Sequence, residues 1–155
     1  MNRKSPFLVL TKISIFALII GAISLPSFIE LSSPLWMLLF FTYWVIYSNI
    51  KWMYLSALIL GLLLDVLQGG ILGQNALSLV ISSAFIFNVK KSFFVSNITT
   101  QQVYIFLASV IYIITLLSTH ILIQGFNFSL LILLTPFSGA IIWPFIRFLL
   151  AKLNH

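Results

Sequence analysis

The sequence predicts an all-α polytopic membrane protein, a compact single-domain bundle of six transmembrane helices. Of its 155 residues 61% are hydrophobic and 6% charged, whereas a soluble domain is about 45–50% apolar and about 25% charged. Apolar runs of near-membrane length follow one another with no Pro/Ser/Gly-rich or charged linker between them. The cations also fall where one membrane orientation would place them.

The first apolar run covers residues 13–31 and follows Arg3, Lys4 and Lys12. Its basic start and the small-x-small triplet at 22–24 resemble a signal peptide. Cleavage would leave five spans and set the cations against each other, so the run reads as a retained first helix. The second run, 35–50, and the third, 52–67, flank Lys51. The fourth covers 73–89 and ends at Lys90 and Lys91. These three are short for a hydrocarbon core of about 30 Å and would thin the bilayer, be shielded by neighbours or stop short of one face. The fifth, 103–123, and the sixth, 128–150, cross easily, and Arg147 and Lys152 close the last.

With six spans all eight cations lie on one side, which the positive-inside rule makes cytoplasmic. Both termini are then cytoplasmic, Glu30 lies on the opposite face, and Asp65 lies toward it. Trp44, Tyr47, Trp52 and Tyr54 bracket Lys51 and Trp36 stands at the other end of its span, as an aromatic belt would. Residues 96–100 read as loop. Pro136 and Pro144 interrupt the sixth span and are expected to kink it.

Composition excludes several functions. Net charge is +6, from eight Lys and Arg against two acids, but the cations form no stripe for nucleic acid. The absence of cysteine excludes thiol chemistry, disulfides and Cys-ligated metals. His120 has Gln124 on its face but no second ligand at metal spacing, so it reads as a hydrogen-bonded bundle residue. No phosphate loop, nucleophile elbow or zinc-protease motif is present. Neither an enzyme nor a cofactor is expected.

One stretch is informative. Residues 61–77 read GLLLDVLQGGILGQNAL. Asp65 follows Lys51 by fourteen residues, about 20 Å of helix, which carries its carboxylate well into the span. An acid there costs a few kcal/mol and faces protein or water. Gln68 shares its helical face. Gly69, Gly70 and Gly73 permit a tight turn or close helix approach, and Gly61 opens the motif as a further member of the candidate cluster. Gln74 and Asn75 add polar groups where the fourth span opens. Two readings stand: a polar cluster that receives a ligand, ion or partner helix, or an acid that stabilises the bundle and caps the next helix.

This stretch resembles the signature of the MreD family of bacterial rod-shape-determining proteins. Pro34-Leu35-Trp36 opening a span that ends near Tyr43-Trp44, the pair Gln101-Gln102, and Trp143-Pro144 in the last span add to the resemblance. It covers most of the chain from Pro34 onward, is specific around Asp65, and rests on hydrophobicity alone in the first span and in 105–134. It implies a non-enzymatic inner-membrane scaffold of the cell-wall elongation machinery. Such a scaffold would bind MreC directly and link MreB filaments to RodA and its transpeptidase. It also implies a distant likeness to the six-helix substrate-binding subunits of energy-coupling-factor transporters, on which the Asp65 region would line a groove. Trp143, Pro144 and Arg147 are candidate kink and interface residues, and Arg147, near the inner end of the sixth span, has a stem long enough to snorkel to the headgroups. The alternative is a small-molecule-binding subunit of a transporter. A membrane enzyme using Asp65 is weakest, for want of a second acid or a metal.

Overall fold

The computed structural model describes residues 35–47, 52–127 and 129–153, together with Ile15 and Ile19. The first span expected at 13–31, the signal-peptide question and the Lys51 turn fall outside the described residues. Ile15 and Ile19 themselves are helical and exposed.

The described residues form five α-helices: α1 (Trp36–Tyr47), α2 (Met53–Gln68), α3 (Gln74–Val95), α4 (Ile98–Gln124) and α5 (Thr135–Leu153), with a 3-10 turn at Leu130–Leu134 leading into α5. Among them are three stretches long and apolar enough to cross a membrane: Gln74–Val95, Ile98–Gln124 and Leu130–Lys152. The 12 residues of α1 and 16 of α2 are shorter, about 18 and 24 Å at 1.5 Å per residue. The chain is a helical membrane protein.

Two expected boundaries are corrected. The fourth span is not short. It is a 22-residue helix that runs through Lys90 and Lys91 to Val95. Lysine is a good helix former, so falling hydropathy marks the membrane surface rather than the end of the hydrogen-bonded ladder. The loop expected at 96–100 shrinks to Ser96 and Asn97, because Ile98, Thr99 and Thr100 already form the first turn of α4. Pro136 also departs from expectation. It stands in the first turn of α5, where the missing N–H costs no helix bond. Pro144 alone lies inside that helix.

From α2 onward, neighbours in sequence pack as antiparallel pairs. Near one end of the α3–α4 pair Tyr112 bonds Asn75, and near the other Tyr104 meets Ser92. Gln101 reaches Arg147, and a β-carbon on Gly139 would lie 3.4 Å from the Ser109 hydroxyl, so α5 runs back along α4. Helix α1 packs on α3 and α5. Residues 37–46 are all buried, and a helix apolar on every side belongs inside a bundle. Trp44 is therefore core and not part of a belt, whereas Trp52 and Tyr54 are exposed.

Helix α3 is the hub. Its buried face carries small residues, Ala76, Ser78, Ser82 and Ser83, beside Leu79 and Ile86. Each of the three serine hydroxyls donates to the carbonyl four residues back, leaving no polar group open. Small residues let membrane helices approach closely, since lipid offers no hydrophobic drive for their association.

Candidate functional site

The sequence motif folds into the turn between α2 and α3. Gly69 ends α2 in the left-handed region, at φ 62°. Its N–H donates to the Val66 carbonyl at 3.4 Å, and the Gly70 N–H donates to the Asp65 carbonyl at 3.2 Å. This left-handed stop is the common way for a helix to satisfy its last carbonyls. Gly73 begins α3 at φ 93°, again a backbone that suits glycine.

A glycine N-cap has no side chain with which to satisfy the free N–H groups of the first turn. Asp65 supplies one from across the turn. Its Oδ2 accepts from the Gly73 N–H at 2.8 Å and the Ala76 N–H at 3.4 Å. Its Oδ1 accepts from the Asn75 N–H and from Asn75 Nδ2, each at 2.9 Å. The carboxylate is 1% exposed, so water does not stabilise it. The amides and positive end of α3 do so instead.

Asn75 extends the cluster. Its Nδ2 also donates to Gln68 Oε1 at 3.0 Å, and its Oδ1 accepts from the Tyr112 hydroxyl at 2.6 Å. Gln74 is turned the other way, donating to the Leu116 carbonyl at 3.1 Å. Gly61 lies where α2 and α3 come closest, and a β-carbon there would stand 2.2 Å from Ala76 Cα. Gly70 has neither a positive φ nor a neighbour within 4 Å of such an atom.

A second cluster occupies the opposite end of α3 and α4. Gln101, fully buried, donates through Nε2 to the carbonyls of Phe93 and Ser96, each at 3.1 Å. Its Oε1 accepts from Trp143 Nε1 at 3.2 Å and Arg147 Nη1 at 3.1 Å. Trp143 is fully buried and meets Phe93 edge-on, with ring centres 5.6 Å apart. Next to it, Gln102 Nε2 donates at 3.1 Å to the Ala140 carbonyl. Ala140 is four residues before Pro144, so this is the acceptor that the proline ring leaves without its helical N–H.

The structure thus joins Asp65, Gln68, Gly73 and Asn75 directly and holds Gln74 and Gly61 beside them. Trp143 and Arg147 meet separately around Gln101. Sequence reasoning missed Tyr112. Its signal was a phenol deep in an apolar span, which needs a buried partner. Among the described residues no group of His, Asp, Glu or Cys could hold a metal. His120 reaches the Asn127 carbonyl at 3.1 Å.

Comparison with known proteins gives one family. Residues 1–153 match the family described as rod shape-determining protein MreD. No curated protein and no solved structure matches the chain.

Proposed function

The chain belongs to the MreD family of rod shape-determining proteins, and on that premise we propose that it is a non-enzymatic scaffold of the elongation complex in the cytoplasmic membrane. In this reading it binds MreC directly and couples the RodA glycosyltransferase and its transpeptidase to cytoplasmic MreB. It crosses the membrane six times, α1 to α5 being the second to sixth spans, with both termini cytoplasmic.

One observation carries the scaffold reading. Both oxygens of Asp65, the acid at the centre of the motif, are taken up by N–H groups of the same protein. A general acid or base must have its reacting oxygen within reach of a substrate proton, and a ligand site needs acceptors open to the ligand. At this turn the polar side chains hold the hairpin in shape instead. The same observation weighs against a substrate-binding transporter subunit. Orientation is supported by charge: Lys90, Lys91, Arg147 and Lys152 share the end of the bundle where Gln101 lies, and Asp65 belongs to the other.

Depletion in a rod-shaped host tests the role. Cells are expected to round, and a photo-crosslinker at Leu72, exposed at the Asp65 end, is expected to capture MreC. Rods that persist after clean deletion, without a suppressor, would overturn the reading. Asp65→Asn, which keeps one acceptor oxygen, should retain much of the shape function, whereas acid chemistry would be abolished.

A further inference from the structure

We propose that Arg147 anchors a site for the phosphate headgroup of an anionic lipid, at the rim of the bundle where Gln101 ties α4 to α5. The inference goes beyond the scaffold role and rests only on the orientation proposed with it, which puts this end of the bundle at the cytoplasmic surface.

Arg147 lies on α5, four residues after the fully buried Trp143, and is itself half-buried. A guanidinium carries five N–H donors in a rigid fork and stays charged. The Gln101 carbonyl oxygen takes one of them and is shared with the indole of Trp143. No carboxylate among the described residues is placed to take the others. The chain has two acids, Glu30 and Asp65. Glu30 is outside the described residues, and Asp65 is closed inside the cap at the far end of α3. Arg147 therefore presents a partly desolvated cation that is held by Gln101 and meets no carboxylate among the described residues.

A long cation that merely snorkels to the membrane surface needs no set orientation. Here Gln101 gives it one. Gln101 is itself locked by the carbonyls of Phe93 and Ser96, so the fork is held before any anion arrives. Lys90 and Lys91, in the last turns of α3, and Lys152, near the end of α5, add positive charge at the same end. At the cytoplasmic surface the abundant anion at this depth is a lipid phosphate, and its oxygens match a guanidinium fork two at a time.

The test uses the full chain in mild detergent and native mass spectrometry, with phosphatidylglycerol or phosphatidylcholine added. The native protein is expected to retain phosphatidylglycerol in preference, and Arg147→Gln to weaken that retention by about tenfold while phosphatidylcholine adducts stay unchanged. Arg147→Lys, which keeps the charge but loses the fork, should fall between, and keeps the proposal falsifiable if Arg147→Gln fails to fold. Lys152→Gln, on an exposed residue, should have a smaller effect than either. Inorganic phosphate that competes at millimolar concentration assigns the site to phosphate in general; failure to compete assigns it to the lipid headgroup. Equal phosphatidylglycerol retention by the native protein and both Arg147 variants would overturn the proposal. So would loss, in Arg147→Gln, of a copurifying membrane protein with lipid retention intact, since a partner's carboxylate would then be the anion.

Discussion

The two ends of the α3–α4 pair handle a charge in opposite ways. At one end Asp65 is enclosed, and four N–H groups from the start of α3 converge on its two oxygens. At the other, Arg147 is half-open and shares a single amide oxygen with Trp143. Both charges lie in a helix of the bundle, where an unsatisfied one costs a few kcal/mol. The carboxylate meets that cost with backbone, because a helix start offers donors in a fixed ring. The Phe93 and Ser96 carbonyls at the end of α3 are bonded by Gln101, and the guanidinium reaches them only through that one glutamine. An acid can be buried in a membrane turn as a structural part, while a base at the rim remains available.

The largest effect that would break this contrast is expected one turn before Asp65. Gly61→Leu puts side-chain atoms where Ala76 backbone stands, so α2 cannot dock on α3. The protein should fail to accumulate as a monodisperse species in size-exclusion chromatography. Normal elution and an unchanged melting temperature would show that the approach is not needed.

Asp65→Leu should come next, because it leaves the neutral N–H groups at the start of α3 unmatched, about 1–3 kcal/mol for each orphaned group. Asp65→Asn should lose less, since one oxygen still accepts from the α3 start. Unfolding in mixed detergent reads the order, and equal losses would mean that charge, not cap geometry, holds the turn. Gln101→Leu sharpens the other side. It leaves the Ser96 carbonyl and the Trp143 N–H unmatched, while the Phe93 carbonyl keeps the Ser96 N–H, about 1–3 kcal/mol for an orphaned group. Trp143 fluorescence should also shift as its indole loses the bond.

The smallest effect is the most specific. Gln102→Leu should cost about 1 kcal/mol by leaving the Ala140 carbonyl unpaired. In a Pro144→Ala background residue 144 regains its N–H and can bond that carbonyl itself. The cost of Gln102→Leu should then fall toward zero. A cost that is the same in both backgrounds would separate Gln102 from the proline.

Much of the α2–α3 hairpin was legible. A left-handed stop is what Gly69 suits, and the α2 boundaries expected at 52–67 differ by one residue from Met53–Gln68. Asp65, Gln68 and Asn75 stood out because polar residues are rare in such a stretch. The belt was legible only in part: Trp52 and Tyr54 are exposed, while Trp44 is core. Gln101 and Gln102 were visible as a pair, but nothing local indicates that one holds Trp143 and Arg147 and the other mends the break at Pro144.

What the sequence alone determined was local: apolar runs that must form helices because lipid leaves no water for their amides, and the position of the turn between α2 and α3. Tertiary structure decided which faces meet protein and which meet lipid. Both surroundings are apolar, so burial leaves only a weak periodic trace in a membrane helix. It also decided that Asp65 caps a helix other than its own, that Tyr112 closes on Asn75, and that α1 is enclosed on all sides. These depend on contacts between segments far apart in the chain, and hydropathy carries no record of which segments meet.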